Sequence, residues 1–283
     1  MYYSRRKFLK TAGMATAGTL IATHTSLGSN SIWSSNSNTL KVGLIGCGGR
    51  GTGAAGEAVN ADPNVIIAAM ADAFEDQLEK SFHTLKEKYG SKVQVAENHK
   101  FVGLDAYQRL IDSDVDVVLL AAPTCFRPQH LEAAVNAGKH IFCEKPFAVD
   151  APGLRRVMEA TRKAKSKNLS LVSGFCWRYH QPKRDTFGRV LNGQIGEILG
   201  GEATYNTGEL WFKERQKGWS DMEYKLRNWL YYNWLSGDHL VEQAIHSIDM
   251  FSWAMGDKAP LKISGTGGRQ KRTDSRFGNV YDH

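Results

Sequence analysis

The sequence predicts an α/β protein whose first folded part is a doubly wound parallel sheet, followed by a region of different texture. Three observations carry this. Between about residues 41 and 174, short and almost wholly apolar runs alternate with helical runs, as expected of strands covered by helices on both faces. The first apolar run feeds a glycine-rich turn that opens a helix. After Gly174 the pattern changes to longer, aromatic-rich extended segments.

Residues 40–46 are the first predicted strand, and after the turn from Cys47 to Gly53 a helix runs to about residue 60. Residues 65–71 form a second strand ending at Asp72, and a charged amphipathic helix spans about 75–89. Residues 93–96 are the candidate third strand, 105–111 a short helix and 115–121 the most apolar strand. Residues 128–137 are helical, with Gly138 as the stop signal. Residues 141–143 form a short buried strand that ends at Glu144-Lys145-Pro146. The helix over 151–167 finishes in a basic turn, which suits its dipole, and 169–174 is the last parallel strand. Beyond it, 181–191 is a helix, 197–207 alternates like an antiparallel edge, 238–255 is a periodic helix stopped at Gly256, and 261–267 is a strand.

The 283 residues suffice for two domains, and 42% hydrophobic with 23% charged residues is a globular composition. The formal charge of +7 is unevenly spread. Arg5, Arg6, Lys7 and Lys10 fall in the first 40 positions, which hold no acid, and no clustered basic face appears later, so no nucleic-acid partner is expected. Ser4-Arg5-Arg6-Lys7-Phe8-Leu9-Lys10, the small apolar run over 11–23 and the Ser/Asn-rich stretch to Asn38 resemble a twin-arginine export signal. The apolar run is too short for a permanent membrane span. Residues 1–39 are therefore expected to be signal and linker, and the protein to be exported to the periplasm by the twin-arginine route. Cys47, Cys125, Cys143 and Cys176 form no CxxC pair and read as buried thiols.

Gly46-Cys47-Gly48-Gly49-Arg50-Gly51 matches G-x-G-x-x-G, follows a strand, opens a helix and precedes an acid, Asp72, about 20 positions later at the end of the second strand. Gly46 permits the tight turn, Gly48 lets backbone N–H groups approach a pyrophosphate, and Gly51 lets helix and strand pack closely. Asp72 would accept both ribose hydroxyls and repel a 2′-phosphate. Ala73 and Phe74 bring no cation to offset it, so NAD is expected in preference to NADP. Farther on, Asp238, Glu242, His246 and Asp249 share one helical face, a stripe suited to handling protons. The same spacing suits a capped helix with a half-buried histidine. No third metal ligand accompanies the His–carboxylate pair, so no metal is expected.

Taken in order, the glycine fingerprint, Ala137-Gly138-Lys139-His140 with Glu144-Lys145-Pro146, Ser173-Gly174-Phe175 with Arg178, and His246 three residues before Asp249 resemble the Gfo/Idh/MocA oxidoreductases over about residues 40–270. The resemblance implies an NAD-binding Rossmann domain over 40–174 and a substrate-binding α+β domain, with a mostly antiparallel open sheet, over 175–283. That sheet looks unfinished at His283, so the second domain is expected to be truncated. The resemblance makes Lys145 and His246 catalytic, with Glu242 where the family usually has Asp. Pro123, Thr124 and Glu144 would join the cofactor site, Thr124 standing where Asn is usual. Arg178, Tyr179, His180 and Asp249 are candidate substrate contacts. The expected activity is hydride transfer at a sugar or polyol carbon, with a cofactor retained through export. The alternatives are an NAD-dependent glycosidase and a non-catalytic sugar-binding remnant. The expected partners are a small sugar and further copies of this chain, paired through the second-domain sheet.

Overall fold

The computed structural model describes residues 39–208 and 210–283. The export signal expected over the first residues lies outside them. Six strands form one sheet: β1 (Leu40–Ile45), β2 (Val65–Asp72), β3 (Lys100–Val102), β4 (Val117–Leu120), β5 (His140–Cys143) and β6 (Leu171–Ser173). Every pairing is parallel, and the order is β3-β2-β1-β4-β5-β6. The order reverses between β1 and β4. Ligands of such sheets bind at that reversal, outside the carboxyl ends of the strands.

The helices α1 (Gly49–Ala61), α2 (Glu75–Tyr89), α3 (Ala106–Ile111), α4 (Arg127–Asn136) and α5 (Ala151–Ser166) connect the strands. One buried cluster packs Val42, Leu44, Ile67 and Met70 against α1 and α2, through residues such as Ala55 and Leu78. The other packs Val118, Leu120 and Ile141 against α3, α4 and α5, through residues such as Leu110, Leu131 and Val157. Both sheet faces are covered, which is why the central strands read as unbroken apolar runs rather than alternating ones.

The third strand falls at Lys100–Val102 and not at 93–96. Val93 makes only an isolated bridge to Ile67. This edge strand is short, half-exposed and begins with a lysine, a pattern that protects a sheet edge but carries little apolar signal.

After β6 the structure departs further from expectation. Among the described residues no strand follows Ser173. Among the described residues, 197–207 and 261–267 pair with no neighbouring strand, and a strand exists only by pairing. Their apolar side chains, Leu199, Leu261 and Ile263 among them, stand exposed. The region is helical instead: α6 (Gln181–Leu191), α7 (Asp221–Arg227), α8 (Asn233–Ser236) and α9 (Ile245–Ala254). A small core forms where Leu230, Tyr231 and Val280 meet Phe212 and Phe277. The expected helix over 238–255 forms but is not uniform. Asp238 adopts a left-handed conformation, φ +68°, a π-helical turn spans Leu240–Ala244, and α9 starts only at Ile245.

Cys47 and Cys143 are buried and Cys125 half-buried, all as free thiols, whereas Cys176 is exposed on the turn after β6. Burial pushes the Cys143 thiol up to about 11 and that of Cys125 up to about 12, which suits inert packing rather than nucleophilic chemistry. No helix among the described residues is long and apolar enough to cross a membrane.

His130 on α4 gives the core a pH signature. Its ring stacks on Tyr107 at 4.2 Å and lies 5.9 Å from Phe126, with Nδ1 unpartnered. Burial, and then the charge of Arg127, push its pKa down to about 3. The unfolded chain takes up this proton near 6.5 and the folded chain does not, so folding weakens as pH falls from 6.5 towards 3. On going from pH 7 to pH 4.5, the wild type should lose on the order of 2 kcal/mol more stability in urea unfolding than His130→Phe, which keeps the stack. Equal losses would contradict this.

Candidate active site

The loop between β1 and α1 shows why its glycines are there. Gly46 has φ +94°, and a Cβ on it would lie 2.4 Å from the Ala122 nitrogen. A Cβ on Gly51 would lie 1.8 Å from the Gly46 carbonyl oxygen. Gly48 and Gly49, by contrast, face open space. Gly48 caps α1 without any side-chain acceptor, so the first N–H groups of the helix remain available at its positive end. This is the donor arrangement that receives a pyrophosphate.

Asp72, at the end of β2, ties this loop down. Its Oδ2 accepts from the Cys47 backbone N–H at 2.7 Å and its Oδ1 from that of Phe74 at 2.9 Å. Burial raises its pKa, and the two N–H donors oppose the rise. A cleft of about 420 Å³ runs from the glycine loop past Asp72, closed on its far side by Trp211, Lys213, Arg227 and Trp229. A cavity of about 60 Å³ on the other side of Asp72 is lined by Leu104, Tyr107 and Pro123. The residues present therefore fit a dinucleotide, with Gly48 open to the pyrophosphate and Asp72 beside the adenosine.

At the end of β5, the Lys145–Pro146 peptide bond is cis. The Lys145 ammonium donates to the Glu242 backbone carbonyl at 2.5 Å and to its Oε1 at 3.2 Å. Glu144 turns the other way, and its Oε1 accepts from Arg50 Nε at 2.6 Å. Gly174 makes room for that carboxylate, because a Cβ there would lie 2.7 Å from Glu144 Oε2. Beneath this corner, buried Arg127 donates to the carbonyls of Ala122 and Glu144, and to that of Pro146 at 3.1 Å. It staples the carboxyl ends of β4 and β5 together. Burial lowers its pKa, yet a guanidinium stays charged.

His246 on α9 completes the cleft. Its ring lies 4.9 Å from that of Trp177 and 6.3 Å from that of Phe175. Burial, and then the charge of Lys145, lower its pKa, so the imidazole is neutral at neutral pH. Arg50, Thr124, Glu144, Lys145, Glu242 and His246 all line one cleft of about 360 Å³, and Trp229 forms part of its wall. The sequence-predicted catalytic trio is thus brought together. The Glu242 carboxylate does not bond the imidazole: its Oε1 meets Lys145 and its Oε2 accepts from Gln243 at 2.7 Å.

The expected substrate contacts lie elsewhere. Arg178 forks onto Asp249 at 2.8–3.1 Å and onto Asp257 at 2.7–3.0 Å, pinning the turn after β6 to α9. Asp249 is thereby neutralised inside the fold and is not free for a ligand. Tyr179 and His180 are exposed and do not line the cleft. Asp238 leaves the stripe because its carboxylate accepts from the backbone of His239 and Tyr281. The π-helical turn disrupts the even spacing on which the stripe depended. Among the described residues no cluster of His, Cys, Asp and Glu is placed to hold a metal.

Sequence reasoning missed Arg127, Lys213 and Arg227. Arg127 left one signal: a lone arginine between a strand end and the Pro128 of a helix start. Lys213 and Arg227 reach the cleft from more than a hundred positions away and left none.

Fold and site together define a dinucleotide-binding Rossmann domain. Residues 40–172 match the GFO_IDH_MocA model, the oxidoreductase family with an NAD-binding Rossmann fold. A myo-inositol 2-dehydrogenase from Thermotoga maritima is 27% identical, covering 77% of this chain and 56% of its own. A glycosyl hydrolase family 109 protein from Solibacter usitatus is 29% identical, covering 72% and 46%. The crystal structure of myo-inositol 2-dehydrogenase from Lactobacillus plantarum aligns with a TM-score of 0.54 at 28% identity, over 77% of this chain and 57% of that one. The chain spans about half the length of the curated relatives it matches.

The two kinds of glycine should separate experimentally. Gly51→Ala meets backbone and should destabilise the fold by about 2 kcal/mol in urea unfolding. Gly48→Ala meets nothing in the protein, so it should leave stability unchanged and weaken NAD+ binding, read by calorimetric titration. Unchanged NAD+ affinity in Gly48→Ala would place the pyrophosphate elsewhere.

Proposed function

We propose that this protein transfers a hydride between a nicotinamide dinucleotide and a hydroxyl-bearing carbon of a sugar or polyol. The observation that carries this is the meeting of Lys145, Glu242 and His246 in one cleft, beside the glycine loop at the carboxyl edge of the sheet. The dinucleotide supplies the hydride acceptor or donor; the chain does the rest. An ammonium has three donors, and Glu242 takes two of those of Lys145, leaving one for the reacting oxygen. That donor stabilises alkoxide charge as it develops. Neutral His246 takes up the hydroxyl proton during oxidation and returns it during reduction. Glu242 holds Lys145 aimed, and Asp72 suits the two ribose hydroxyls of NAD. Relatives named as inositol dehydrogenases support the polyol reading.

A second reading, an NAD-dependent glycosidase that oxidises, eliminates, adds water and re-reduces, is favoured by the family 109 relative. The basic leader with Arg5 and Arg6 supports export by the twin-arginine route. Dinucleotide is scarce outside the cytoplasm, so an exported enzyme would keep its cofactor and regenerate it within each turnover.

Purified protein mixed with NAD+ and a panel of polyols should develop the absorbance band of NADH. Release of a chromogenic aglycone without net NADH would favour the glycosidase, and neither response would sink both readings. Lys145→Ala should abolish turnover while NAD+ still binds, and persisting activity would remove the lysine from the mechanism. The lowered pKa of His246 keeps its imidazole neutral to more acid pH than usual. The acid limb of kcat/KM for oxidation should therefore titrate below 6.5, and His246→Asn should lose that limb along with about 100-fold or more of the rate. An unchanged acid limb in His246→Asn would assign the proton to another group.

A further inference from the structure

The cleft beside Asp72 has a wall that the Rossmann fold does not supply. It comes from residues 211–229, and this segment is fastened in two places. Arg227 donates to both carboxylate oxygens of Asp76, each at 2.9 Å, in the first turn of α2. Its guanidinium also lies 4.0 Å from the centre of the Phe74 ring and 4.7 Å from that of Trp219. Arg227 is therefore paired with Asp76, and it locks the segment onto the turn that follows Asp72. Asn228 makes the second attachment. It is completely buried, its Oδ1 accepts from the Lys213 backbone N–H at 2.9 Å, and its Nδ2 donates to the Lys213 carbonyl at 2.9 Å. Both polar groups of the Lys213 backbone are thus fixed by one buried carboxamide.

Such backbone control is unusual for a lysine with nothing to do. The Lys213 side chain is half-buried, lies along Trp211 with its ammonium 5.8 Å from the ring centre, and lines the same cleft as Asp72. Among the described residues its ammonium has no hydrogen-bond or ion-pair partner. Burial, and then the nearby Arg227, disfavour its charge, while Asp76 and Asp72 favour it. An unpaired ammonium held beside the acid that faces the adenosine ribose has a natural counterpart in a phosphate on that ribose.

We propose that Lys213 reads the 2′ position of the adenosine ribose, its ammonium pairing with a 2′-phosphate beside Asp72, so that the site accepts NADP+ as well as NAD+. This rests on the dinucleotide reading of the glycine loop. It changes the expectation drawn from Ala73 and Phe74, because the cation is delivered by a segment remote in sequence.

Calorimetric titration of the whole protein with NAD+ and NADP+ in parallel tests it. The wild type should bind NADP+ within about tenfold of NAD+. Lys213→Gln should weaken NADP+ by about tenfold or more, as loss of a charge-assisted bond requires, and leave NAD+ within about threefold. Lys213→Arg should retain NADP+ binding. Adenosine 2′,5′-bisphosphate against 5′-AMP should show the same contrast without the nicotinamide half. A wild type that binds NAD+ but not NADP+, or a Lys213→Gln that weakens both equally or neither, overturns this proposal alone. A wild type that binds neither dinucleotide overturns the cofactor reading and this proposal with it.

Discussion

The Lys145–Glu242 contact is the constraint on which the site depends. It joins the end of β5, fixed by the sheet, to a π-helical turn nearly a hundred residues later. Both side chains are largely out of water, with relative exposures of 15% and 12%. A pair so placed is costly to break from one side, since the remaining charge is left buried without its partner, at about 3–5 kcal/mol. The contact therefore does two things. It closes the region after Gly174 onto the Rossmann sheet, and it fixes the Lys145 ammonium in the cleft that His246 also lines. The proximity of that charge, after burial, also helps to hold His246 neutral.

Around that contact the structure is rigid where the chemistry needs precision. Arg127 ties three backbone carbonyls at the ends of β4 and β5 with a single buried fork. Gly174 leaves the space that Glu144 fills, and Glu144 in turn holds Arg50 at the start of α1. Asp72 fixes the glycine loop from the other side. These supports all come from strand ends or helix starts, which is why an α/β edge can hold a constellation to within a bond length. The region beyond is built differently. Its core is small, and residues 197–207 and 261–267 carry exposed apolar side chains with no neighbour strand.

Most of the sheet was legible from the sequence because strands buried on both faces leave unbroken apolar runs. The glycine loop was legible because Gly46 and Gly51 answer steric demands of the turn while Gly48 and Gly49 leave its face open. The third strand was not, because an edge strand with Lys100 carries almost no apolar signal. Helix α7 was missed although Ser220 and Glu223 have capping-box spacing, and Ser220 does accept from the Glu223 N–H at 3.1 Å. The stripe on the later helix held only in part: Glu242 and His246 line one cleft, whereas Asp238 and Asp249 are taken up by other partners. Lys145, Glu242 and His246 were singled out because their motifs carry them, and they line one cleft. Lys213 was not, because what places it is a buried asparagine fifteen positions away that resembles any other polar residue.

The central claim is that Lys145 and Glu242 are energetically coupled across the two regions. A double-mutant cycle in urea unfolding measures this directly, using Lys145→Ala, Glu242→Gln and the pair together. The structure predicts a coupling of about 1 kcal/mol or more, as expected of partners in one buried network. Strictly additive effects would mean that the contact does not join the regions, and the account of the site would fall with it.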